Sequence, residues 1–229
     1  MATTQALKLH GGVNVEDIKK PDAERLARGF ANLDKHVRNI QSFGQTVLVC
    51  FNRYDFDTDE EMEMVRRHCQ MLGVAFAENN AFMKGGAGAE NFAREVVRQI
   101  EENPSRPLAY AYDLNDSIPE KIEKIAKKIY GASNVIYHQV AKNKLKLISE
   151  LGYSNLPVCI AKTQYSFSDD SRVLGVPENF ELTIRNFVIN AGAEMIIAIA
   201  GDVMRMPGLP REPQAKNIDV VNGKIVGLS

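Results

Sequence analysis

The stretch Thr46–Asp59, TVLVCFNRYDFDTD, constrains the fold more than any other. Five of its first six residues are apolar and three of these are Val or Leu, the pattern of a strand buried on both faces. The strand breaks into a polar loop that bunches Asn52, Arg53, Tyr54, Asp55 and Asp57. Open α/β sheets place ligands in the crevice beyond the carboxyl ends of such strands. A helix is expected at once: Asp57 or Thr58 can cap it, and Asp59, Glu60 and Glu61 fall in its first turn, where the helix dipole favours negative charge.

Composition narrows the partners. A net charge of −1 on 229 residues leaves no basic footprint for nucleic acid or an anionic membrane. No apolar run reaches membrane-spanning length and no signal-peptide core opens the chain, so a cytoplasmic protein is expected. Cys50, Cys69 and Cys159 are widely separated and flanked by apolar residues; they read as buried thiols in a reducing compartment, neither a disulfide framework nor a metal site.

Ala2–Leu9 reads as a strand or a helical turn, cut off at His10-Gly11-Gly12. From Pro21, the apolar positions Leu26, Phe30, Leu33, Val37 and Ile40 recur at helical spacing, predicting an amphipathic helix to about Ser42. The buried strand at 46–52, a helix over 58–72, a short strand from Val74 to Ala77 and a helix from Ala89 to about Glu101 follow with short links, which argues for a parallel α/β layer. The turn Glu78–Gly88, ENNAFMKGGAG, reads as a flexible helix cap; it could also bring backbone N–H groups to an anion. It is not a nucleotide P-loop, because GxxxxGK[ST] occurs nowhere in the chain.

Residues 103–119 read as a linker, and helices are expected over 119–130 and about 139–151. The second of these has a basic outer face (Lys142, Lys144, Lys146), read as solvated. A short strand, Val158–Ala161, then delivers Lys162, Thr163, Gln164, Tyr165, Ser166, Ser168, Asp169 and Asp170. These donors and acceptors suit phosphate, carboxylate or amide recognition. Two or three strands are expected between Phe180 and Gly201, and a hairpin turning at Asn222-Gly223 closes the chain. No acid–base pair, activated nucleophile or metal-ligand spacing can be read, and His10, His36, His68 and His138, scattered singly, read as structural.

The ordered motifs ALKLHGG (6–12), FNRYDFDTD (51–59), AFMKGGAG (81–88), KIYGA (128–132), NLPVCIAKTQYSFSDD (155–170), GDVMRMPGLP (201–210) and IVGL (225–228) resemble the C-terminal part of the formate–tetrahydrofolate ligase family. The resemblance implies a mixed α/β and α+β fold, the C-terminal domains of a P-loop-type ligase. It divides the chain into a remnant of a larger N-terminal domain (1–30), a middle α/β domain (31–128) and a last α+β domain (129–229). Family chemistry uses ATP to convert formate to formyl phosphate, which the N10 amine of tetrahydrofolate attacks; Mg²⁺ and a monovalent cation go with it, and nothing is bound covalently.

By the same resemblance, Tyr54 and Phe82 flank the pterin, Phe82 standing where the family usually has Trp. Glu78, Asn79, Asn80 and Phe82 border the adenine, Glu78 replacing a usual apolar residue. Asn52, Asp57, Lys162, Thr163, Gln164, Met206, Pro207 and Gly208 belong to cleft loops. No catalytic residue and no metal ligand is expected on this chain, since the family's phosphate-binding groups lie on the domain it lacks. The implied partners are small-molecule substrates, an N-terminal ligase chain or domain and further copies of itself. The alternatives are a non-catalytic folate-binding module and an inactive truncated fragment.

Overall fold

The computed structural model describes residues 1–203 and 210–227. Two hydrophobic cores organise them. The first is built on a two-stranded parallel sheet, β1 (Leu48–Asn52) beside β2 (Ala75–Asn79), with Leu48 opposite Ala75 and Asn52 opposite Asn79. Ahead of it come α1 (Thr4–His10) and α2 (Ala23–Gln41), and α3 (Asp59–Met71) connects the strands. Ala2, Leu7, Leu26, Leu33, Val37, Val49, Phe51, Val65 and Cys69 form one buried cluster, so the first thirty residues share the core of β1.

The opening segment is a helix preceded by a single β-bridge, not a strand. Ala2 bridges Phe51 in parallel, its N–H donating to the Cys50 carbonyl (2.7 Å) and its own carbonyl accepting from the Asn52 N–H (2.9 Å). Thr3 then caps α1. Close approach of α1 to α2 explains the glycines: a Cβ on Gly29 would lie 1.9 Å from the Leu7 carbonyl oxygen, and one on Gly11 would lie 1.8 Å from that of Arg25. As expected, Thr58 caps α3, its hydroxyl accepting from the Glu61 N–H, and Val65 and Cys69 face inward.

After β2 the chain forms a single helical turn, α4 (Ala81–Lys84), a tight turn over Gly85–Ala89, and α5 (Glu90–Glu102), which packs on β1 and β2 without burying any residue fully. Gly88 is required where it stands, since a Cβ there would lie 2.3 Å from the Asn80 carbonyl oxygen. The stretch 103–117 has no helix or strand yet is stitched down. Thr46 and Gly44 bind Asn103, Ser105 and Arg106, while the Tyr112 hydroxyl accepts from the Val158 N–H (2.9 Å).

The second core belongs to a mixed four-stranded sheet in the order β3-β5-β6-β4, where β3 is Asn134–Tyr137, β4 Val158–Ala161, β5 Glu181–Asn190 and β6 Met195–Ala200. β3 runs parallel to β5 and β4 parallel to β6, while β5 and β6 are antiparallel. Ile122 of α6 (Ile118–Ile125) and Ile148 of α7 (Gln139–Glu150) pack on Leu182, Ile184, Phe187 and Ile196. A register shift between Ile184 and Asn186 moves Phe187 into phase with Leu182 and Ile184, so all three stay buried. The helix expected over 119–130 ends earlier: α6 stops at Ile125 and a π-helical turn, Ala126–Tyr130, leads into the left-handed Gly131. A final hairpin, β7 (Asp219–Val221) and β8 (Lys224–Val226), turns at Asn222-Gly223, both with positive φ.

The cysteines divide. Cys50 and Cys69 are buried as expected, but Cys159 is exposed, because β4 is an edge strand and alternate positions on it face outward. No helix among the described residues is long and apolar enough to cross a membrane.

Candidate functional site

The carboxyl ends of β1 and β2 stand side by side, so parallel pairing brings together two loops that are far apart in sequence. The Asn52 side-chain carbonyl accepts from the Asn79 amide (3.1 Å), and the Arg53 N–H donates to the Asn79 carbonyl (3.0 Å). The Arg53 guanidinium spans the mouth of the pair, meeting Asp59 at 2.6 Å and Glu78 at 3.2 Å. Partial burial works against its charge; hydrogen bonds to Asp59 and Glu78 outweigh that, and its pKa is raised.

Above these groups lies an aromatic cluster. The Tyr54 ring stacks on Phe56 (centroids 5.5 Å apart, planes 6° apart) and meets Phe82 at 5.7 Å with a 59° tilt. Lys19 Nζ lies 5.6 Å from the Phe56 centroid. Tyr54 and Phe82 therefore come together as a contacting pair, and a flat ligand between them requires the rings to part. Phe82 is the freer partner: it is 48% exposed, on a single helical turn flanked by Gly85 and Gly86.

Asp57 is a clasp. Buried beneath the loop, it accepts from the Tyr54 N–H (2.9 Å) and from the Thr4 hydroxyl of α1. Below it, Lys8 of α1 pairs with Glu61 of α3 at 3.2 Å, both fully enclosed, and the same Glu61 oxygen accepts from the Asp22 N–H. Asn79 and Asn80 are similarly occupied: Asn79 Oδ1 accepts from the Ala81 N–H (3.3 Å), and the Asn80 N–H donates to the Gly88 carbonyl (2.9 Å).

Lys162, Thr163 and Gln164 lie elsewhere, in a cleft of about 250 Å³ at the seam of the two cores. His10 and His36 line the same cleft, so two histidines that read as unrelated are brought together. Their separation in sequence gives no sign of this; the crossing of α1 on α2, which Gly11 and Gly29 permit, brings them together. Met206, Pro207 and Gly208 fall outside the described residues. Among the described residues no group of three His, Cys, Asp or Glu is placed to hold a metal ion.

Parallel strands whose carboxyl ends carry a cluster of aromatic rings, asparagines and a paired arginine define the class: an α/β protein with its polar and aromatic groups gathered at the strand ends. The family model for formate–tetrahydrofolate ligase matches residues 1–229, and the chain belongs to that family. It is 58% identical over 229 residues to a formate–tetrahydrofolate ligase of Bacteroides thetaiotaomicron and 59% identical to one of Bacteroides fragilis. With the Petrotoga mobilis enzyme the identity is 46% over 230 residues. In each case all of this chain is covered but 41% of the relative, so the chain spans about two-fifths of the length of the relatives it matches.

Proposed function

We propose that this chain is the part of a formate–tetrahydrofolate ligase that forms the pterin- and adenine-facing wall of the cleft. In this reading the groups that stabilise the transferring phosphoryl lie outside it. The whole reaction joins formate to ATP, giving formyl phosphate and ADP; the N10 amine of tetrahydrofolate then attacks the formyl carbon and phosphate departs, leaving 10-formyltetrahydrofolate. Charge on a transferring phosphoryl group is stabilised mainly by preorganised cations and N–H donors. No P-loop sequence is present here, so those groups are assigned to the remaining three-fifths of the family's length, on the same polypeptide or a second one.

The observation that carries the proposal is the meeting of Tyr54 and Phe82 above the ends of β1 and β2. Their mutual contact is exchanged for two stacks on the pterin when Phe82 swings outward, while Asn52, Asn79 and Arg53 hold the floor. An aromatic pair contributes about 0.5–1.5 kcal/mol beyond area burial. Loss of both rings in a Tyr54→Ala, Phe82→Ala chain should therefore weaken tetrahydrofolate binding roughly tenfold or more by calorimetry. An unchanged affinity would place the pterin elsewhere.

Activity is tested by ATP- and formate-dependent production of 10-formyltetrahydrofolate. The expected result is none from this chain alone and a signal when the family's remaining segment is added; no signal in either mixture removes the ligase role. The missing P-loop pattern favours one second reading, a folate-binding module without chemistry, in which calorimetry succeeds and the reconstituted assay fails.

A further inference from the structure

The seam cleft draws on four separate stretches of chain. α1 ends there in His10, α2 brings His36, the π-helical turn brings Tyr130, and the loop after β4 brings Lys162, Thr163 and Gln164. Among the described residues no carboxylate lines it. Ile160, Tyr130 and Phe167 make its apolar walls, and a low-dielectric wall strengthens any charge–charge attraction inside.

The donors are not all spent. Lys162 Nζ donates to the carbonyls of Thr163 (3.0 Å) and Ser166 and lies 4.8 Å from the Tyr130 centroid, leaving one of its three N–H groups without an acceptor among the described residues. His10 Nδ1 accepts from the Gly175 N–H (3.0 Å), so a neutral His10 carries its proton on Nε2 as a donor. The His36 ring packs on Phe167 (centroids 4.7 Å apart) and has no hydrogen-bond partner among the described residues. The Thr163 hydroxyl accepts from the Tyr165 N–H, which leaves its own O–H to donate.

We propose that this cleft binds a small oxyanion, the phosphate or carboxylate group of a metabolite, with the Lys162 ammonium as its charge partner and Thr163 and Gln164 as neutral donors. The site shares no residue with the Tyr54–Phe82 cluster. An ammonium held among apolar walls and carbonyls is short of countercharge: burial pushes Lys162 down to about 8, with Asp169 working the other way. An anion in the cleft restores that charge balance and draws the pKa back up. Burial lowers His10. Burial also lowers His36, helped by the positive charges of His10, the amino terminus and Lys162. Both imidazoles are thus neutral at pH 7 and gain charge only below their ordinary value of 6.5. Anion affinity should therefore rise as pH falls through and below 6.5, and fall above about 8 as Lys162 loses its proton.

The test is a titration of the chain, followed by NMR at the histidine ring protons, with sulfate as a dianion whose charge is constant over this pH range and acetate as a carboxylate. Shifts at His10 and His36 that saturate with a dissociation constant on the order of 1 mM or below support the proposal. Sulfate binding tighter than acetate points to a phosphate-bearing ligand, and the reverse to a carboxylate. Lys162→Met should weaken binding at least tenfold, Gln164→Ala by about three- to tenfold, and Tyr54→Ala not at all. Because Lys162 also ties its own loop, the Gln164→Ala chain keeps the test alive if Lys162→Met does not fold. Unsaturated shifts, shifts away from both histidines, or equal affinity in Gln164→Ala and the parent overturn the proposal.

Discussion

Cys159 faces outward from β4, whereas Cys50 and Cys69 are enclosed. Reactivity follows the thiolate, and burial suppresses it. For Cys69, burial and then the nearby Asp34 carboxylate push the thiol up to about 11; burial also raises Cys50. One of the three thiols should therefore react rapidly with a disulfide reagent in the folded chain at pH 8, and Cys159→Ser should abolish that phase. Two or more fast thiols would contradict the packing. At this scale the sequence misleads wherever a neighbour in space decides: the apolar residues around Cys159 describe a strand but not its place at a sheet edge. His10 and His36 carry no local signal of a shared cleft. Asp57 reads as a ligand-facing loop acid, yet its two oxygens are taken by Tyr54 and Thr4.

Elements were legible where pattern and punctuation agreed. α2 and α3 declare themselves through helical spacing and, for α3, an acidic first turn; β1 by its apolar run; the last hairpin by Asn222-Gly223. β3 was not legible, because four residues with alternating exposure between a glycine turn and a helix give too short a pattern. α6 had an unread start signal: Ser117 and Glu120 form a reciprocal cap at S-x-x-E, inside a stretch that read as linker.

Between elements, α1 depends on α3 through the buried pair Lys8 and Glu61. Removing one partner of a buried pair costs about 3–5 kcal/mol, since the other charge stays buried without compensation. Glu61→Ala should lower stability in urea by that amount, whereas the apolar pair Lys8→Met, Glu61→Leu should recover much of it. Equal losses in the single and double variants would show that the pair's charges do not depend on each other.

Across the whole molecule, the two cores meet through a polar seam. Asn32 donates to the Gly175 carbonyl and Asn39 to that of Ile129, both at 2.9 Å, and the Tyr112 hydroxyl accepts from the Val158 N–H of β4. Each such bond contributes about 1 kcal/mol net, more where its loss strands a buried carbonyl. A chain carrying Asn32→Ala and Asn39→Ala should unfold in two steps, with hydrogen exchange freeing β1 and β2 at lower denaturant than β5 and β6. A single coincident transition would show that the cores cooperate through other contacts.

One short rod has a mechanical consequence. α1 has seven residues and is about 10 Å long. Its leading end grips the loop beneath Tyr54 through Thr4 and Asp57; its trailing end sets His10 against Gly175. Glycines at the α2 crossing let the two backbones touch, so a methyl group at Gly11 or Gly29 would prise α1 away from α2. A side chain added at either glycine would therefore disturb both of its ends at once, the loop beneath the tyrosine and the histidine rim of the cleft.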